Sequence, residues 1–383
     1  MIILEKPYVS DNLCQYLEET QTPVLKNAVS DNLTKNHSFN LLSPKAFSDN
    51  IHQGKRFYTT SEHALNWIYE HISDQNLIRS IQLMKDKFAL RRAISPLYPD
   101  YFFSEIDIDA LHQVDPETLP LPLVLKPSVG FFSVGVYVID QAQDFKSALN
   151  DIDRTITTQT SLYPDDVVNH QKYILESYIE GDEYAIDFYY DETGQAVILN
   201  IMKHDFSSAS DVSDRLYYTS QQIIKDNIDF FTATFNDINT ELKVRNFPVH
   251  AEMRIQDGRA IPIEFNPMRF AGLCNTDIAD FAFGIKTYDY FLHNRKPDWT
   301  SLLQSPDNHL YAFMILDKPD MSLSAAHFDY DALCQQFPEH IQLRRIDSEQ
   351  ADIFGFLFLK IPDDQPEVLH RILHADLNQF MIR

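Results

Sequence analysis

Apolar residues recur along this chain in two alternating rhythms, and the rhythms predict its elements. Short runs (MIIL at the start, PVLK from Pro23, KRFYTT from Lys55) read as strands, and DNLCQYLEE between the first two sets Leu13, Tyr16 and Leu17 at helical spacing. Leu65, Ile68 and Ile72 mark one face of a helix after Ser61, and Leu77, Ile81, Met84 and Phe88 form the stripe of another. Strands follow at Leu123–Leu125, Val136–Ile139, Tyr173–Leu175, Glu183–Tyr190 and Ala196–Met202, then a helix over Ser220–Leu242. The stretch Val249–Cys274 predicts a hairpin, with strands at Val249–Ile255 and Ala260–Phe265 around Asp257-Gly258. DIADFAFGIKTYDYFLHN reads as a closing helix; past Pro297, LYAFMIL, a helical DYDALCQQF, IFGFLFLKIP and a last helix predict a C-terminal α/β lobe. The expected class is α/β (α+β) with boundaries at 1–80, 81–293 and 294–383.

Composition narrows the function. The net charge of −24, from 32 basic and 56 acidic residues, argues against nucleic acid or an anionic membrane as partner. No run approaches the roughly 18 apolar residues of a membrane span, and the first residues have no apolar signal core. Cys14, Cys274 and Cys334 are too far apart for a metal cluster or a disulfide framework, so a cytoplasmic setting is expected. No glycine-rich dinucleotide fingerprint occurs in the first 75 residues.

The chemistry concentrates in the hairpin. A two-residue period puts His250, Glu252 and Arg254 on one face of the first strand, and Glu264 and Asn266 on one face of the second. Paired, Glu252, Glu264 and Asn266 form a hard-oxygen set suited to Mg²⁺ carrying phosphates. The same pattern also fits a surface hairpin with a solvated face. Upstream, an apolar strand delivers Lys126 to a loop with Gly130, Ser133 and Gly135, where backbone N–H groups can approach phosphate.

The run E-(x)11-E-F-N-P-(x)-R, from Glu252 to Arg269, resembles the metal-binding end of the ATP-grasp superfamily, and further elements of that family occur upstream in order. The resemblance covers about residues 80 to 293 and implies an ATP-grasp fold preceded by a pre-ATP-grasp α/β domain. It implies ATP and Mg²⁺ (or Mn²⁺) as cofactors, with Glu252, Glu264 and Asn266 as metal ligands. Lys87, in an Asp-Lys context, Lys126 and Lys203 would face phosphates, with Gly130 and Ser133 in the loop over them. Glu176-x-x-Ile179-x-Gly181-x-Glu183 is similar to the family hinge. There Glu176 and the backbone of Tyr178 and Ile179 would read adenine, and Glu183 the ribose hydroxyls. Lys126 and Arg269 would act on the transferred phosphoryl. Two departures stand out: Phe131 and Phe132 occupy positions where many members have Gly or Ser, and Met268 intervenes before Arg269.

The implied activity is a ligase that activates a carboxylate as an acyl phosphate and joins it to an amine, with small amino-acid-like partners. A homodimer is compatible with it. A phosphotransferase with a hydroxyl acceptor and a non-catalytic ATP-binding regulator are the alternatives. The polar stretch FSSASDVSDR reads as a loop near the site, with Arg215 as a substrate contact.

Overall fold

The structure, a computed structural model, describes residues 1–129, 135–159, 172–207, 214–318, 323–346 and 351–382, with backbone alone for 155–159. Gly130, Phe131, Phe132 and Ser133 therefore lie outside the described residues. Three sheets organise the described chain.

The first is parallel and built from very short strands: Ile2–Ile3 (β1), Val24–Leu25 (β2), Leu41–Leu42 (β3) and Tyr58–Thr59 (β4), in the order β3-β2-β1-β4. Strand alternation sends Ile2 and Leu4 into a core with Leu13 and Leu17, and Ile3 into another with Phe47, Phe57 and Ile68. Ser10 and Ser61 cap the helical turns that follow them.

One stripe, read as a single helix from Leu77 to Phe88, divides into Gln75–Lys85 and Lys87–Ile94. Asp86 is the cause. Its carboxylate accepts from the Ala89 N–H at 2.9 Å, starting a new helix where the old one would have continued. Lys87 becomes the first residue of that helix, and its N–H donates to Ser128 O at 2.9 Å.

The second sheet holds Phe103–Asp107 (β5), Leu123–Pro127 (β6), Tyr137–Ile139 (β7) and Lys172–Ser177 (β8), antiparallel in the order β5-β8-β6-β7. Helix Ala142–Gln159 lies across it, burying Phe145, Ala148 and Ile152 against Leu123, Leu125 and Leu175.

The third sheet is the frame of the molecule. Its strands are Asp182–Tyr190 (β9), Ala196–His204 (β10), Leu216–Thr219 (β11), Phe247–Gln256 (β12), Arg259–Pro267 (β13), His309–Asp317 (β14), His340–Arg345 (β15) and Ile353–Pro362 (β16). The order is β13-β12-β9-β10-β11-β14-β16-β15. Helix Gln221–Leu242 covers one face, stacking Phe235 on Phe188 at 3.9 Å. The C-terminal segment, expected as a lobe of its own, continues this sheet: β14 pairs along β11 from Thr219↔Tyr311 to Leu216↔Met314. β11 follows a polar stretch that carries no strand rhythm, so this junction was invisible to periodicity.

At the β8–β9 junction Gly181 has φ +105°, and a Cβ there would sit 2.1 Å from Ile255 O. Only glycine lets the junction pass this close to β12. The predicted closing helix is likewise broken, into Ile278–Phe283 and Thr287–Leu292, with Gly284 at φ +69° between them.

Candidate active site

The face of the large sheet opposite helix Gln221–Leu242 carries the chemistry. The register places Glu252 opposite Glu264 and His250 opposite Asn266 across the β12–β13 hairpin, and Arg254 opposite Glu183 and His250 opposite Asp187 across β12–β9. His204 then lies opposite Glu183, and Tyr217 opposite His204. Strand alternation thus puts one continuous row of functional groups on one face. A cleft of about 380 Å³ lies over it. The small antiparallel sheet, through Val124, Lys126 and Val138, and the turn around Glu62 close its other walls.

Glu252 and Glu264 form a buried like-charge pair whose environments separate them. Burial, then the Glu264 carboxylate, push Glu252 well above the ordinary carboxylate range. Burial raises Glu264 too, but Lys87 and Lys85 outweigh it and hold that carboxyl at about 2. Lys87 Nζ lies 2.7 Å from Glu264 Oε2. Asn266 Oδ1 is buried and accepts no hydrogen bond. An acceptor buried without a donor is costly, and a hard cation beside two carboxylates would satisfy it. The three residues therefore fit a divalent ion. Among the described residues no cluster of three or more His, Cys, Asp or Glu side chains could hold a metal alone. The set leaves coordination positions open for ligand oxygens.

On the opposite wall Lys126 Nζ lies 2.6 Å from Glu176 Oε1, and Arg91 Nε 2.6 Å from Glu176 Oε2. All three are buried. Burial raises Glu176, but the two cations prevail and bring its carboxyl down to about 2. Burial, with Lys87 and Arg91 as neighbours, lowers Lys126 in spite of Glu176.

A family model for the ATP-grasp domain matches residues 119–277. The chain carries an ATP-grasp domain. No curated protein sequence matches it. Among solved structures it is similar to an L-amino acid ligase from Bacillus licheniformis, with 17% identity, a TM-score of 0.66 and coverage of 97% of this chain and 96% of that one. It is also similar to a phosphoribosylglycinamide synthetase from Anaerococcus prevotii (15% identity, TM-score 0.59, 97% of each chain). An N5-carboxyaminoimidazole synthase from Aspergillus clavatus, solved with ADP and 5-aminoimidazole ribonucleotide, aligns at TM-score 0.60, with 12% identity and coverage of 97% of this chain and 98% of that one. At such identities these likenesses show that the chain has the ATP-grasp fold.

Against that fold, several expected residues take other places. Glu176 lines the cleft, and its two oxygens are engaged by Lys126 and Arg91, so it anchors Lys126. Next along the hinge, Tyr178 N donates to Pro122 O at 3.2 Å, and Ile179 O accepts from Arg254 Nη1 at 2.8 Å. Glu183 is buried with Oε1 3.0 Å from His204 Nδ1 and Oε2 2.9 Å from Arg254 Nε. Burial raises its carboxyl, yet those two partners bring it below the usual range.

Lys203 is not in the cleft. The period of two that faces His204 inward turns Lys203 to the other side of the sheet, where it pairs with the exposed Asp182 at 2.8 Å beside the Tyr184 ring. An exposed pair of this kind contributes at most about 1 kcal/mol. Lys203→Ala is therefore expected to keep turnover and melting temperature close to wild type, checked by steady-state kinetics and a thermal melt. Arg215 is likewise no substrate contact: it pairs with Asp317 at 2.7 Å and donates to Ala375 O at 3.0 Å.

Arg269 does reach the cleft. Met268 takes the left-handed region, φ +65°, and its carbonyl accepts from Thr59 N at 3.0 Å, which turns the chain after β13. Arg269 Nε then lies 3.2 Å from Glu62 Oε1, and Nη1 donates to Phe270 O at 3.0 Å. Glu62 also pairs with Lys85, so one carboxylate of the N-terminal domain gathers two cations of the site.

Arg91, Glu62 and His204 escaped the sequence reading as partners of the site, since each pairs across a wide gap in sequence, as does Arg254 with Glu183. So did Asp187, fully buried, which meets His250 Nδ1 at 2.8 Å and accepts from Ala271 N at 2.8 Å and Thr276 Oγ1 at 2.7 Å. It ties the strap after Arg269 onto β9. The strand period does place Asp187 in phase with Glu183; that was the one available signal.

Proposed function

We propose that the protein is an ATP- and Mg²⁺-dependent ligase that activates a small carboxylate as an acyl phosphate and joins it to an amine. The observation carrying this reading is the convergence of Glu252, Glu264 and the unpartnered Asn266 Oδ1 with Lys87, Lys126 and Arg269 around one cleft. Three similar structures bear the names of a ligase, a synthetase and a synthase, which favours bond formation over phosphate transfer to a hydroxyl.

The hinge at Tyr178–Ile179 would meet the adenine, and the Glu183 carboxylate the ribose. Lys126, held by Glu176, and Lys87 would lie along the phosphates as fixed positive charge. Glu252, Glu264 and Asn266 would hold Mg²⁺, which supplies charge neutralisation on the phosphate oxygens. A substrate carboxylate oxygen attacks the γ-phosphorus and ADP leaves. The amine nitrogen then attacks the acyl carbon, loses a proton, and phosphate departs. Preorganised charge of this kind needs no reorientation during the transfer.

The test is whether ADP release needs both a carboxylate and an amine. With hydroxylamine in place of the amine, an acyl hydroxamate is expected; a phosphorylated hydroxyl product would instead make the protein a phosphotransferase. Arg269→Lys should lower turnover at least about tenfold, roughly 1.4 kcal/mol of transition-state stabilisation, with little change in KM for ATP. A planar fork binds two oxygens where an ammonium binds one. Full turnover with only a lower melting temperature would assign Arg269 to the Glu62 pair alone.

A further inference from the structure

The C-terminal strands have so far only extended the sheet, yet they also reach the cleft. Across the site face the row changes character. Glu264, Glu252 and Glu183 on β13, β12 and β9 give way to His204, Tyr217 and Phe313 on β10, β11 and β14. Phe313 and Ile315 line the cleft together with Tyr217 and Leu273. Phe356 and Phe358 flank them on β16: Phe313 lies 5.3 Å from Phe356 and 5.0 Å from Phe358. The basic side chains nearest in the sheet are committed elsewhere. Arg215 is paired with Asp317, and Arg344 with Asp277 at 2.7 Å.

Two acceptors accompany this surface. Asn275 lines the cleft at 5% exposure, and its Oδ1 has no hydrogen-bond partner. Asp214 also lines it, held by Tyr217 Oη at 2.7 Å. The unpartnered Asn275 Oδ1, with the carboxylate of Asp214 beside the same cleft, calls for N–H groups, and an apolar wall beside them calls for carbon.

We infer that β14 builds the side-chain pocket of the amine substrate, which is an α-amino acid or related amine with an aliphatic or aromatic side chain. Its nitrogen is recognised by Asn275 Oδ1 and Asp214, and its side chain lies on Phe313 and Ile315. The carboxylate partner belongs at the other end, beside Arg269 and the metal ligands. A second carboxylate, at the end of that side chain, would lie against Phe313 and Ile315 where, among the described residues, no uncommitted cation lines this wall, so it is rejected by desolvation. The inference rests on the ligase reading above.

Hydroxylamine separates the two. It attacks an acyl phosphate without needing a side-chain pocket, so hydroxamate formation reports the ligase reading by itself. No hydroxamate from any pooled carboxylate would sink that reading. Given hydroxamate formation, leucine and phenylalanine as amines are expected to give kcat/KM at least about tenfold above glutamate and lysine, the scale set by apolar pockets. Equal use of glutamate, or a preference for lysine through Asp214, would overturn the pocket. Ile315→Asp should lose that preference through KM for the amine, with KM for ATP unmoved. Ile315→Phe, which narrows the pocket without charge, should penalise phenylalanine more than alanine and covers the case in which the Asp variant does not fold. An unchanged amine profile in a folded Ile315→Phe would also overturn it.

Discussion

Glu264→Gln is expected to lower turnover at least about a thousandfold, ~4 kcal/mol of transition-state stabilisation, with the fold retained. The amide keeps the shape of the side chain but removes the charge that holds Lys87 and completes the oxygen set with Glu252 and Asn266. The effect should also be visible without turnover. In the wild type, Mg²⁺ with ATP at a hundredfold excess over its dissociation constant should add about 2.7 kcal/mol of stability, with little gain from ATP alone. In Glu264→Gln that dependence on Mg²⁺ should shrink. A variant with wild-type turnover would remove Glu264 from the metal set.

Glu176→Gln is expected to act on stability first. Glu176 is the carboxylate that pairs with two buried cations at 2.6 Å each, Arg91 and Lys126. Removing one charge from a buried cluster while leaving the others costs about 3–5 kcal/mol, which in a chain of this size lowers the melting temperature by roughly 4–6 °C. Turnover at low temperature should fall as well, because Lys126 loses its anchor. The pH dependence has a definite sign. The Glu176 carboxyl is held at about 2 against an ordinary 4.5. Its contribution is therefore complete above pH 4.5 and is lost as pH falls toward 2. The stability difference between wild type and Glu176→Gln, measured by denaturant titration at several pH values, should narrow over that window. A constant difference would mean that the cluster is not held by this charge.

Much of the site was readable because its residues come in local patterns. Asp257-Gly258 between alternating runs sets the hairpin register, and the period of two then faces Glu252, Glu264 and Asn266 the same way. Lys126 at the end of an apolar strand carried its own signal, and the hinge glycine stands where a Cβ has no room. Lys203 lies one residue out of strand phase with the cleft, and a strand end offers no local cue to which side faces it. Helix continuity through Asp86 was misjudged for a similar reason: the apolar stripe persists across it, and only the Ala89 N–H contact shows the cap.

By itself the sequence determined the hairpin and the shared face of Glu252, Glu264 and Asn266, from spacings shorter than a single supersecondary unit. The tertiary structure alone decided which charges are free to act. Glu176 was committed to Arg91 and Lys126, Arg269 was matched to Glu62, and the C-terminal strands were joined to the site's own sheet. These pairings span separations of up to 207 residues, as for Arg269 and Glu62. A backbone rhythm specifies which face a side chain takes, but not which distant face it will meet.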